Sequence, residues 1–282
     1  MTLHYPKMRF SPFLLFFLAL LALAMQGCGG GSGGESGGET PNADSTGYYG
    51  VSGRASVGDD SSGMLTIIDL QGMVNGTRFI AISDAKGLVY DGMITEINGN
   101  DFTATVSVFQ NGTPATDVPV TVTGMITAGE KITGTLTGSG LGSGSFELFY
   151  AQSNDTPAAL SRVQTNVDVE NSWVDSVGGG ATNLRFVVNS TGNITSDEIA
   201  TDGTFSQCSI DQGAISPITG TSLYTLNLTL SSCSNTAVNG DYSGLASLRT
   251  ESVETPVGDR LVVVVSNSKF SLQGEFWLGG IV

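Results

Sequence analysis

Asp168, Glu170 and Asp175 lie around Trp173, and a pair of carboxylates beside an aromatic ring is what glycoside hydrolysis uses as acid and base. Alternating acids on the solvent face of a strand account for the same residues without catalysis. Asp59-Asp60 and the stretch Asp197-Glu198 through Asp202 offer hard oxygen ligands of the kind calcium takes. Neither has the twelve-residue spacing of an EF-hand loop, and acidic loops between strands also serve solubility. Lys86, Lys131 and Lys269 stand singly, with no recognisable partner to activate an amine. The one histidine, His4, precedes a hydrophobic run near the N-terminus. Beyond it there is no imidazole for Ser-His-Asp or Cys-His machinery or for a histidine-ligated zinc. Neither an enzyme nor a cofactor or metal is expected.

Trp173, Tyr224, Tyr242 and Trp277 have two readings, a carbohydrate-binding or apolar surface, or core and cross-strand packing. Of the three cysteines, Cys208 and Cys233 are 26 residues apart inclusive, near predicted strand ends, with no Cys-x-x-Cys spacing and no other soft ligand beside them. In an oxidising compartment their expected fate is a structural disulfide, which by the chain-entropy relation adds about 3.5 kcal/mol.

The N-terminus has the layout of an export signal. Met1–Arg9 carries Lys7 and Arg9 and no acid, and Phe13–Met25 is a hydrophobic run of 13 residues ending at Gly27. That run is short for a bilayer-spanning helix. The residues Leu23-Ala24-Met25-Gln26-Gly27-Cys28 resemble the lipobox of bacterial lipoproteins. The resemblance implies cleavage by signal peptidase II before Cys28, a diacylglyceryl group on its thiol and an acyl chain on the new amine. Two or three chains hold firmly where one binds only marginally. Gly29 after the cysteine implies sorting to the outer membrane, with the side faced by the body left open.

Removal of residues 1–27 leaves 9 basic against 26 acidic residues, a formal charge of -17. Such a surface repels phosphate backbones and anionic headgroups, which excludes nucleic acid as a partner and leaves membrane attachment to the lipid.

Gly29–Gly47, GGGSGGESGGETPNADSTG, reads as a disordered Gly/Ser-rich linker with a root-mean-square reach of about 24 Å. Beyond it the period becomes that of strands. In DFTATVSVF, Phe102, Ala104, Val106 and Val108 alternate with Thr103, Thr105 and Ser107, which sets a packed face against a hydroxylated one. Asn98-Gly99-Asn100 and Ala128-Gly129-Glu130 punctuate the runs as tight antiparallel turns do. Similar runs follow a polar junction at Ala151–Ala159, among them Ser161–Trp173 and Gly203–Ser209.

The expected fold is all-β, tandem antiparallel β-barrel or β-sandwich modules after the linker, with one large sandwich or barrel as the alternative. The expected divisions are a signal peptide over 1–27, lipidated cysteine and linker over 28–47, and β domains over 48–150 and 160–282. Glycines inside strands, such as Gly92, Gly124, Gly134 and Gly244, favour small up-and-down barrels. A lipidated cysteine, a glycine-rich tether and glycine-studded strands are together similar to envelope lipoproteins with β-barrel modules, including the transferrin-binding lipoproteins; no binding residue carries over from them. The expected function is a membrane-anchored, non-catalytic binding or adhesion module for an envelope protein, a glycan or a small apolar ligand. The alternative is a structural or assembly lipoprotein acting through a protein partner.

Overall fold

The computed structural model describes residues 41–58, 64–152, 156–165, 173–175, 185–199, 204–250 and 259–278. Nine strands come first: β1 (Gly47–Gly58), β2 (Leu65–Asn75), β3 (Arg78–Ser83), β4 (Leu88–Asn98), β5 (Asp101–Gln110), the two-residue β6 (Thr113–Pro114), β7 (Val120–Thr127), β8 (Lys131–Thr137) and β9 (Gly144–Phe149). A single helical turn, α1 (Leu160–Val163), separates them from β10 (Trp173–Asp175), β11 (Arg185–Val188), β12 (Asn193–Ile199), β13 (Cys208–Pro217), β14 (Leu223–Ser231), β15 (Gly240–Thr250), β16 (Asp259–Ser266) and β17 (Ser271–Leu278).

The fold is all-β, with two antiparallel modules in tandem. In the first, the order is β4-β3-β2-β1-β9-β8-β7-β5, and β4 pairs again with β5 from Leu88↔Gln110 to Asn98↔Asp101, which brings the sheet back on itself. In the second, β10 to β17 pair in sequence order and β10 closes on β17. Both are up-and-down meanders, a consequence of connections too short for crossover. The β4–β5 hairpin shows why. Asn98 pairs with Asp101, so two residues make the turn, and Gly99 takes a φ of 61° that a side chain disfavours.

Each interior is packed with side chains. Val106, Val122, Ile132, Phe146 and Leu148 belong to the first cluster, and Ile215, Leu228, Val263 and Phe276 to the second. A third cluster is a seam between the modules. Met73, Ile80, Ile82, Val89 and Phe109 of β2–β5 pack there with Leu223, Leu245, Val262 and Val264 of β14–β16. Along β16, Leu261, Val263 and Val265 therefore point inward while Val262 and Val264 enter the seam. A run buried on both faces cannot alternate with polar residues. Pro41–Val282 forms one compact unit.

Two expected strands are corrected. Ser161–Trp173 begins as helix, because Gln164 N donates to Leu160 O at 2.8 Å and Val163 is buried in the second core; residues 166–172 lie outside the described set. Gly203–Ser209 contains a turn, with Gln207 at φ 60°, and β13 starts at Cys208. The turn sends Phe205 into the core against Tyr242, their ring centroids 6.1 Å apart.

Candidate functional site

Thr residues recur at every second position in β5, β7 and β8, as Thr103/Thr105, Thr121/Thr123 and Thr133/Thr135/Thr137. Alternation puts them all on the outer face, since Ala104, Val122, Ile132 and Leu136 belong to the interior cluster. Register then lines them up across strands. Thr103 pairs with Thr123, Thr123 with Thr135, Thr135 with Ser145 and Ser145 with Ser56, so one row crosses β5, β7, β8, β9 and β1. None of these five hydroxyls bonds to another described residue.

A second row lies one pleat away. It runs from Asp101 through Met125, Thr133 and Glu147 to Arg54. Both rows line one outer hollow of about 990 Å³, together with Glu96, Asn98 and Ile67. Gly124 and Gly134 face each other at its floor. A Cβ on Gly124 would lie 2.1 Å from Thr133 O and 2.8 Å from the Phe102 ring; one on Gly134 would lie 2.6 Å from the Phe146 ring. Bare glycines let these strands sink onto the two phenylalanines, which makes the outside concave.

The charges of the hollow are solvent-facing. Glu96 and Asp101 stand at one end, and Arg54 lies opposite Asp69 and Glu147 at the other. Lys131 Nζ meets Glu147 Oε1 at 2.8 Å, with both side chains about two-fifths exposed (42% and 41%).

The perturbed carboxyls lie elsewhere, along the seam. Asp91 is 3% exposed in its side chain and receives Arg78 Nη2 at 2.5 Å on Oδ2, with Ser266 Oγ donating to the same oxygen. Burial raises the Asp91 pKa against the lowering pull of Arg78 and Ser266. Nearby, Tyr48 Oη donates to Gln71 Oε1 at 2.7 Å and Gln71 Nε2 to Glu275 Oε1 at 2.9 Å, while Arg260 Nη1 meets Glu275 Oε2 at 3.1 Å. Burial and the Glu275 charge raise the Asp84 pKa, offset by Arg249 and Arg260. Perturbed carboxyls in a cleft suggest chemistry. Here Asp91 and Glu275 bond across the seam between two packed modules.

The residues singled out in the sequence fall into three groups. Cys28, Asp59, Asp60, Asp168, Glu170 and Asp202 lie outside the described residues. Trp173, Asp175, Asp197, Glu198 and Trp277 are placed by their backbones alone, with Trp173 opposite Leu278 and Val174 opposite Trp277. Tyr224 and Tyr242 are buried in the second core. Tyr224 Oη donates to Ala159 O at 3.1 Å and Tyr242 Oη to Val238 O at 2.7 Å, so neither presents a surface. A disulfide joins Cys208 and Cys233, tying the start of β13 to the segment after β14. Among the described residues no group of three or more His, Cys, Asp or Glu is placed to hold a metal, and no helix is long and apolar enough to cross a membrane. No family model matches the chain, and no curated protein or solved structure matches it.

The outer hollow was not foreseen. Its signal was present as Thr-x-Thr repeats in three strands, but only register brings them into rows.

Proposed function

We propose that this chain is a bacterial envelope lipoprotein, cleaved before Cys28 and anchored by lipid on that residue, whose two-barrel body binds a partner without catalysing a reaction. The observation that carries the binding role is the outer hollow of the first barrel, with its row of unengaged hydroxyls and solvent-facing charges. The barrel interiors are filled by their own side chains, so recognition falls to the outside. The lipid anchor rests on the resemblance of residues 23–28 to a lipobox, and the Gly-rich linker suits presentation away from the headgroups.

Two measurements test this. Intact mass of membrane-extracted protein is expected to start at Cys28 and carry diacylglycerol, with Cys28→Ser losing both; an unmodified N-terminus elsewhere refutes the anchor. Crosslinking in intact cells is expected to capture an envelope component that the double variant Thr123→Val/Thr135→Val loses. Equal capture by the variant refutes the hollow as the recognition surface.

A further inference from the structure

We infer that the outer hollow takes an extended neutral or amino-bearing glycan laid across the strands, one sugar to a strand. This rests on the binding role proposed above and names the ligand class. Thr103, Thr123, Thr135, Ser145 and Ser56 form an unbroken row over five adjacent strands. Neighbouring strands are about 4.8 Å apart, so the row is a ruler of about 19 Å with a hydroxyl at each division. A β-1,4-linked pyranose chain is extended, and its rise per residue is of the same order as this spacing. Serine and threonine hydroxyls each donate and accept, as sugar hydroxyls do, so they can pair with whichever hydroxyl edge a sugar presents and whichever way its protons point.

The other partner classes fit less well. A peptide added as an extra strand needs an unpaired sheet edge, and the β4–β5 pairing that closes this sheet removes it over these strands. A small apolar ligand needs an enclosing pocket, but the interior is filled and the hollow, although Ile67 and Met125 line it beside the hydroxyls, lies open to solvent. Anionic polymers meet Glu96 and Asp101 at one end, on a chain of formal charge -15. A neutral or amino sugar polymer meets no such repulsion.

The test is calorimetric titration of the purified full chain with β-1,4-linked glucose and N-acetylglucosamine oligomers of two to six residues. Affinity is expected to climb with length up to about five residues and then level off, as the ruler fills. Thr123→Val/Thr135→Val is expected to weaken the pentamer about tenfold through two lost hydrogen bonds, with an unchanged melting curve. Thr225→Val on the second barrel is the control and is expected to bind as wild type. Binding without length dependence, or equal binding by the double variant, overturns the inference. No glycan binding, with a cellular partner still lost in the double variant, overturns the glycan while leaving the hollow as a binding surface; no loss of either kind overturns both.

Discussion

Replacing Arg78 by Met tests the seam between the barrels. Asp91 keeps Ser266 as a hydrogen-bond donor but loses its cation, in a position where its side chain is 3% exposed. Its Oδ1 already lacks a partner among the described residues. Stranding a buried charge in this way costs about 3–5 kcal/mol. For a body of this size that is roughly 6–20 °C in Tm, read by calorimetry or urea midpoint. The pH dependence gives the sharper check. Burial already raises the Asp91 pKa, so the folded state holds this proton more tightly than the unfolded chain. Stability from that proton is full below the ordinary carboxylate range and is lost as pH rises through the raised value. Without Arg78 the value rises further, so the Arg78→Met penalty is expected to be largest near neutrality and to shrink toward acid. The double variant Arg78→Met/Asp91→Leu, which continues the apolar seam around Val89 and Val264, is expected to recover most of the loss. A penalty below about 1 kcal/mol at neutral pH, or one that does not shrink on acidification, refutes the reasoning.

Ile80→Ala opens a void in the same seam and is expected to cost about 2–5 kcal/mol by urea denaturation, as much as a substitution inside either barrel. Gly124→Ala sets a Cβ against the Thr133 carbonyl and the Phe102 ring and is expected to lose about 1–3 kcal/mol by the same measurement. Cys208→Ser removes the cross-link to Cys233 and is expected to cost about 3.5 kcal/mol by the chain-entropy relation, read as a lower thermal melt, with wild type under reductant falling to match. Lys131→Ala, which breaks a pair two-fifths exposed on both sides, is expected to shift stability by under about 1 kcal/mol.

The second barrel shows where local pattern misleads. Gly203–Ser209 has the composition of a strand, yet the chain turns there because Phe205 is drawn into a core built from distant strands. Ser161–Trp173 follows directly on Leu160, which with Val163 three residues on suits one helical turn over the core as well as a strand. Tyr224 and Tyr242 belong to alternating runs, and alternation alone does not say which face is inside.

What the amino-acid sequence determines by itself is local. Period-two alternation, β-branched residues and Gly or Asn at turns specify antiparallel strands on short connections, hence an all-β tandem fold. Absence of histidine beyond His4 limits the chemistry before any fold is known. The runs Arg78–Ser83 and Arg260–Ser266 already held the seam in their continuous hydrophobicity, but not which surfaces it would join. Tertiary structure decided the pairing of β1 with β9 that completes the first ring of strands, the burial of Asp91 between the barrels and the alignment of Thr103, Thr123, Thr135, Ser145 and Ser56. The β1–β9 pairing and the seam join segments far apart in the chain, and in any pair a slip of one residue turns every side chain to the opposite face.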